Sequence, residues 1–440
     1  MDVEAVRKGF PILQRQIDGK PIIYLDSACM ALKPDCVVDA VTSYYTQFPA
    51  CGGRGRSAHT LGRELDEAVY AARESIRRFI NAAVCERGHI AGTPTREIIF
   101  TRNATEAINI VARGFPFSPD AVVLTTDKEH NSNLCVWQEL AAEGHIRHMW
   151  VPSHADGTFS LDAYAAVLEG ENVELVSMVH VSNLDGYELP AADIIEMAHA
   201  HGARVLLDGA QSAPHVPIDV QALDVDFMAL SLHKLCGPTG VGALYGKEDL
   251  LVEGMLRPLV TGGDTVADTT LNGPPEYLES PFRFEAGLQD YAGIIGAGAA
   301  ADYVAGIGID AIGRHITALN THLQERLEPL RDEFDILGPA DPKLRNGITT
   351  LCCKRRGIVS LLDDDISGIG DILSHWANIM VRTGEFCVHS WFGSRAISRE
   401  REKLRASLYL YNTEAECDAL ADVLEHLITL DEYQMLAKMP

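Results

Sequence analysis

Between residues 97 and 246, short apolar runs alternate with amphipathic stretches of helical length, and nothing else in the chain constrains the fold as strongly. The runs are "EIIFT", "AVVLTT", "RHMWVP", "ELVSMVHVS", "RVLLDGAQ", "VDFMALSLHK" and "VGALYG"; "TEAINIVARGF", "SNLCVWQELAAEG" and "AADIIEMAHAHG" are the helical patterns among them. This alternation predicts an α/β fold, a mostly parallel sheet covered by helices on both faces. Upstream, an amphipathic helix and a turn at "IDGKP" fill the first 20 or so residues, and "IIYLDSACMALKP" reads as a short strand entering a loop. Helical patterns follow at 35–48 and 63–82, joined by the glycine-rich "PACGGRGRSAHTLG", which is too polar for a core. There are no internal repeats.

At 440 residues and 47% hydrophobic content the chain can bury a large core, with two or three domains in contact. Its net charge of −25, spread along the whole length, argues against nucleic acid as a partner, because phosphate binding needs a basic surface. No stretch approaches the roughly 20 apolar residues that span a bilayer. The opening "MDVEAVRKGFPILQRQ" lacks the apolar run of a secretory signal, so the expected location is the cytoplasm. In that reducing compartment the ten cysteines do not form a disulfide framework, and no CxxC pair marks a zinc site; no metal is expected.

In parallel sheets, ligands bind beyond the carboxyl ends of the strands. Asp208 and Gln211 follow one buried run, and Ser231, His233 and Lys234 end another. An aspartate there can simply cap the next helix. Lys234 lies between two buried strands, where an unpaired ammonium is costly, so its amine should lose its proton readily or find a partner. A desolvated lysine suits covalent chemistry with a carbonyl.

These residues carry a resemblance. "LDGAQ", then "SLHK" with "GPTG" and "LYG", then "RFEAG", is similar to the fold-type I pyridoxal-phosphate enzymes, within them the class V aminotransferase group. "YLDSA", "NATEAIN", "KEHNSN", "HVSN", "RTG" with Cys387, and "RASLYLYNT" resemble the Suf-type cysteine desulfurases, with selenocysteine lyases close behind. The match runs from about residue 10 to the C-terminus. The resemblance implies a large domain at 21–290 with a mostly parallel seven-stranded sheet, a smaller α+β domain at 291–440 carrying the Cys387 loop, and an N-terminal segment, 1–20, packed on the small domain. It also implies a homodimer with the site at the subunit boundary.

The resemblance further implies roles. Lys234 holds pyridoxal 5'-phosphate covalently and then moves the substrate's Cα proton. Asp208 faces the pyridine nitrogen, where a carboxylate keeps the ring protonated. Gln211 donates to the phenolic oxygen, and His130 stacks on the ring. Thr105, at a helix start, forms the phosphate site with Ser231 and His233. Arg405 takes the carboxylate of L-cysteine in a planar fork, together with Asn183. Arg382 is assigned to positioning the loop or cofactor region, and His59 to lining the site. Cys387 attacks the substrate's sulfur, becomes a persulfide and leaves alanine, and the sulfur passes to an acceptor protein that docks at the mouth, feeding an assembly such as an iron–sulfur cluster. Attack requires the thiolate, which an exposed electropositive loop favours.

The sequence departs from the family at three places. Leu288 stands where a Thr or Ser usually reaches the partner subunit's phosphate, Glu385 and Phe386 replace histidines, and Cys29 replaces a small residue in "LDSACMAL". Glu385 opposes a thiolate two residues away, and His389 is available to compensate. Cys29 and Cys236 read as small loop fillers, with a relay of persulfide sulfur as the alternative; Cys51 lies on the glycine-rich linker. The other functional reading keeps the cofactor without using Cys387, as a selenocysteine lyase, C–S lyase, epimerase or aminotransferase. A non-enzymatic sulfur carrier is disfavoured by the presence of Lys234, Asp208 and His130.

Overall fold

A computed structural model describes residues 1–84, 93–252, 255–354 and 368–429; residues 355–367 and 430–440 of the expected C-terminal domain lie outside this set. Seven strands form the large sheet: β1 (Ile98–Thr101), β2 (Val122–Thr126), β3 (Arg147–Val151), β4 (Val173–Val179), β5 (Arg204–Asp208), β6 (Phe227–Ser231) and β7 (Gly242–Gly246). Their order is β1-β7-β6-β5-β4-β2-β3, with β7 antiparallel to both its neighbours and all other pairs parallel. All of β1, β2, β6 and β7 is buried, as expected where helices cover both faces. The exception is β3, an edge strand with exposed residues, among them Trp150 at 59%.

The second sheet is antiparallel, in the order β8-β9-β11-β10, from β8 (Phe334–Leu337), β9 (Ile348–Cys353), β10 (Arg382–Thr383) and β11 (Lys403–Ser407). Helices Ile309–Leu327, Ile369–Ala377 and Glu414–Thr429 join it in a separate leucine-rich core that includes Leu319, Leu323, Leu404 and Leu424.

Two segments pack across the boundaries expected from sequence. Ile23–Tyr24 pairs in parallel with Ile379–Met380, and Leu25 exchanges backbone hydrogen bonds with Met380 and Ser407, so this short strand joins the C-terminal layer. Conversely, helix Tyr291–Ile307 packs into the large core against helices Asp35–Gln47 and Thr60–Phe79. Its small residues permit the close approach: a methyl group at Gly298 would come within 2.6 Å of Ala72 Cα. The N-terminal helix is tied to the C-terminal part, with Arg7 paired to Glu416 and Phe10 packed edge-on against Tyr411. Among the described residues no single helix is long and apolar enough to cross a membrane.

Candidate active site

The carboxyl ends of β5 and β6, the start of helix Ala104–Gly114 and the loop before helix His389–Ser394 enclose a cavity of about 420 Å³. That size suits a small organic ligand. Eleven of the residues singled out from sequence line it: Thr105, His130, Asn183, Asp208, Gln211, Ser231, His233, Lys234, Arg382, Cys387 and Arg405. His59 does not. It is exposed and caps helix Thr60–Phe79, its Nδ1 accepting from the Gly62 N–H, so the expectation that it lines the site fails within this subunit.

Asp208 ends β5, in register with Val179 and Ala229 of the flanking strands. It is 4% exposed, and burial pushes its carboxyl above the ordinary range, opposed by the Ala210 N–H and by Lys234. Lys234 follows β6, where burial pulls its amine below the ordinary lysine range while Asp208 opposes the shift. Each charge thus steadies the other in a poorly solvated space.

His130 and His233, beside this pair, bind a proton weakly. Burial, reinforced by Lys234, lowers His130 to about 3, and the same causes lower His233 to about 4. His130 Nδ1 shares a 2.9 Å hydrogen bond with the Ser132 hydroxyl, which lies 2.7 Å from Thr105 Oγ1. Ser231 Oγ accepts from the Ala104 N–H at 3.0 Å. Three hydroxyls and the first turn of an eleven-residue helix therefore gather at one end of the cavity, an arrangement that favours an anion.

Arg405, in the middle of β11, is 3% exposed. Its Nη1 donates to the Asn183 carbonyl at 2.9 Å, its Nη2 approaches Asp26 Oδ1 at 3.5 Å, and its guanidinium carbon sits 5.2 Å over the Phe386 ring. Burial lowers its affinity for the proton, and Asp26 offsets part of that. Arg382 is exposed on β10.

Cys387 is exposed at the cavity wall. Phe386 and Cys387 have φ of 50° and 60°, a left-handed conformation that costs non-glycine residues about 1–3 kcal/mol each and persists only when the surroundings impose it. Here they do. The Asn131 N–H donates to the Cys387 carbonyl at 2.7 Å, Asn131 Nδ2 meets His389 Nδ1 at 3.0 Å, and Asn183 Nδ2 donates to the Phe386 carbonyl at 2.8 Å. Glu385 is absent from the cavity lining; its carboxylate turns toward His389 and Arg399, each 3.6 Å away.

Sequence reasoning did not single out Asn131, Ser132 or Asp26, and it noted Phe386 only as a replacement for a histidine. "EHNSN" carried the first two, but without fold information nothing marked their backbone and hydroxyl contacts as part of the loop's support. Cys29, read as a filler, lines the cavity; Cys236 is fully buried in the large core, consistent with filling. Leu288 is 70% exposed.

Pyridoxal phosphate fits this donor set: an anion-binding helix start at one end, a buried carboxylate, and a lysine with a labile proton. Gln211 Oε1, Asn183 Oδ1 and Arg405 Nε are buried without a hydrogen-bond partner among the described residues, and all three residues line the cavity. Such groups call for a polar occupant. Gln211 differs in detail from the expectation, because its Nε2 already donates to the Ala28 carbonyl at 2.7 Å.

The family model for class-V aminotransferases matches residues 23–420. A cysteine desulfurase of Salmonella agona is 38% identical over 427 residues, covering 95% of this chain and 96% of that protein. Among solved structures, the apo cysteine desulfurase of Thermococcus onnurineus superposes with a TM-score of 0.84 at 29% identity, covering 97% of this chain and 98% of its own. A cysteine desulfurase of Escherichia coli, determined as an S-sulfonic acid, gives 0.81 at 28% identity, covering 98% of this chain and 99% of its own.

Proposed function

The chain belongs to the class-V aminotransferase family, and from that premise we propose that it is a pyridoxal-phosphate-dependent cysteine desulfurase, converting L-cysteine to L-alanine with transfer of the sulfur to Cys387. The observation that carries this reading is the exposed Cys387 thiol lining the same cavity as Lys234 and Arg405. When bound, pyridoxal phosphate supplies an electron sink for the substrate's α-carbon.

The protein's own residues do the rest. Lys234 would hold the cofactor through Nζ and carry the Cα proton, which its low proton affinity permits. Asp208 would take the ring nitrogen, Gln211 the phenolic oxygen through the second N–H of Nε2, His130 the ring face, and Thr105, Ser231 and His233 the phosphate. Arg405 would bind the substrate carboxylate, with the Asn183 amide beside it. Cys387 Sγ then attacks the substrate sulfur: an S–S bond forms, the C–S bond breaks, and the carbon keeps the electron pair and takes a proton as alanine. The strained, clamped loop suits this step, since it fixes the thiol without a long swing.

A homodimer, a protein acceptor and a role in iron–sulfur cluster assembly in the cytoplasm complete the proposal. Exposure of Cys387 supports direct hand-over to a docked acceptor. The test follows alanine and sulfide from L-cysteine with a reductant, in wild type and Cys387→Ala, after the visible absorbance of bound cofactor is verified in both. Equal yields that vanish in the variant are expected; an equally active variant would overturn the role of Cys387.

A further inference from the structure

Among the described residues, two thiols line the cavity, Cys29 and Cys387. The others lie elsewhere: Cys236, Cys352, Cys353 and Cys417 are buried in cores, and Cys36, Cys51 and Cys135 are exposed away from it. Cys29 is held by the site itself. Its N–H donates to the Asp26 carbonyl at 3.0 Å, the preceding Ala28 N–H donates to Ser407 Oγ at 2.9 Å, and the Ala28 carbonyl accepts from Gln211. Asp26 and Ser407 bracket Arg405, one as its ion-pair partner and the other two residues along β11. The Cys29 thiol lies within electrostatic reach of both Arg405 and Lys234, and Cys387 within reach of Lys234. Both cysteines therefore line the same cavity as Lys234 and Arg405, where the substrate must sit.

We propose that Cys29 is a second sulfur acceptor, which takes the outer sulfur of the Cys387 persulfide inside the cavity. The inference rests on the desulfurase reading. Sulfur of Cys29 attacks the outer sulfur of the persulfide, a new S–S bond forms at Cys29, the bond to Cys387 Sγ breaks, and Cys387 departs as the thiolate and accepts the proton Cys29 gave up. No oxidant or reductant is consumed, as in any thiol exchange through sulfur. Sulfur parked at partly buried Cys29 is shielded from bulk solvent, while exposed Cys387 is returned to its starting state.

The experiment gives holoenzyme L-cysteine without reductant or acceptor, then alkylates it and maps extra sulfur by peptide mass spectrometry. In wild type, extra sulfur is expected on both the Cys387 and Cys29 peptides, with an alanine burst above one equivalent per subunit. Cys29→Ser should keep the label on Cys387 and lower the burst to a single equivalent; Cys387→Ala should lose both labels. Label confined to Cys387 in wild type, or equal loading of Cys36, Cys51 and Cys135, overturns the proposal. If wild type makes no alanine, it is the desulfurase reading that fails. Loading with inorganic polysulfide then still decides the relay: sulfur at Cys29 that requires Cys387 supports it, and loading independent of Cys387 refutes it.

Discussion

Replacing Arg405 by lysine keeps the charge and removes the fork, which isolates what the guanidinium contributes. The side chain is 3% exposed, donates to the Asn183 carbonyl at 2.9 Å, and reaches Asp26 at 3.5 Å, while its Nε has no partner among the described residues. A lysine carries three donors but on a single nitrogen, which cannot occupy the separate positions from which Nη1 and Nη2 reach Asn183 and Asp26, so at least one charge-assisted hydrogen bond is lost. Such a bond is worth about 1.5–3 kcal/mol, or roughly a 10- to 160-fold fall in kcat/KM. Because the carboxylate stays bound from substrate to alanine, most of the loss should appear in KM. Steady-state alanine production from L-cysteine measures it, with cofactor absorbance and urea midpoint verified unchanged. The parallel change Arg382→Lys, at an exposed cation, should cost less than about tenfold by the same physics. Unchanged KM in Arg405→Lys, or a larger effect at Arg382, would refute the assignment and move the carboxylate to Arg382.

Two further expectations concern the fold. Arg73 and Glu285 form a buried two-pronged ion pair at 2.7 and 2.9 Å, and Arg73→Ala strands the carboxylate, so the urea midpoint should fall by the equivalent of about 3–5 kcal/mol; a loss under about 1 kcal/mol would contradict this. His215 is 3% exposed, and burial lowers it to about 4 from an ordinary 6.5, so the unfolded chain gains a proton that the folded chain refuses as pH falls between those values. Wild-type stability should drop by about 1.4 kcal/mol per pH unit relative to His215→Gln across that window, read from urea midpoints at several pH values, and a gap that does not vary with pH would refute it.

What the sequence disclosed follows from cost. A strand buried on both faces must be apolar throughout, so the seven runs of the large sheet stand out, and a lysine at the end of such a run has no cheap reason to be there, whereas an aspartate can cap the next helix. Lys234 stood out on that ground, while Asp208 needed the family resemblance to be told from a helix cap. Helix Tyr291–Ile307 was not, because a sequence of glycine and alanine packs equally well against either domain, and only the neighbouring surface of Thr60–Phe79 decides. Nor was the absence of His59 from this cavity, since helix caps and site ligands draw on the same polar residues.

The Cys387 loop marks where residue type stops being informative. Its geometry is imposed by the Asn131 N–H, the Asn183 amide and the Arg405 guanidinium, acting on carbonyls and a ring of residues 386 and 387. Carbonyls are common to every residue, so this clamp leaves almost no trace in sequence beyond two asparagines. The backbone at 386 and 387 fixes where the thiol sits, and Glu385 turns its charge aside to His389 and Arg399. Lys234 lies within electrostatic reach of both thiols and Arg405 of Cys29, so the residue that replaced a small filler lines the same cavity as Cys387.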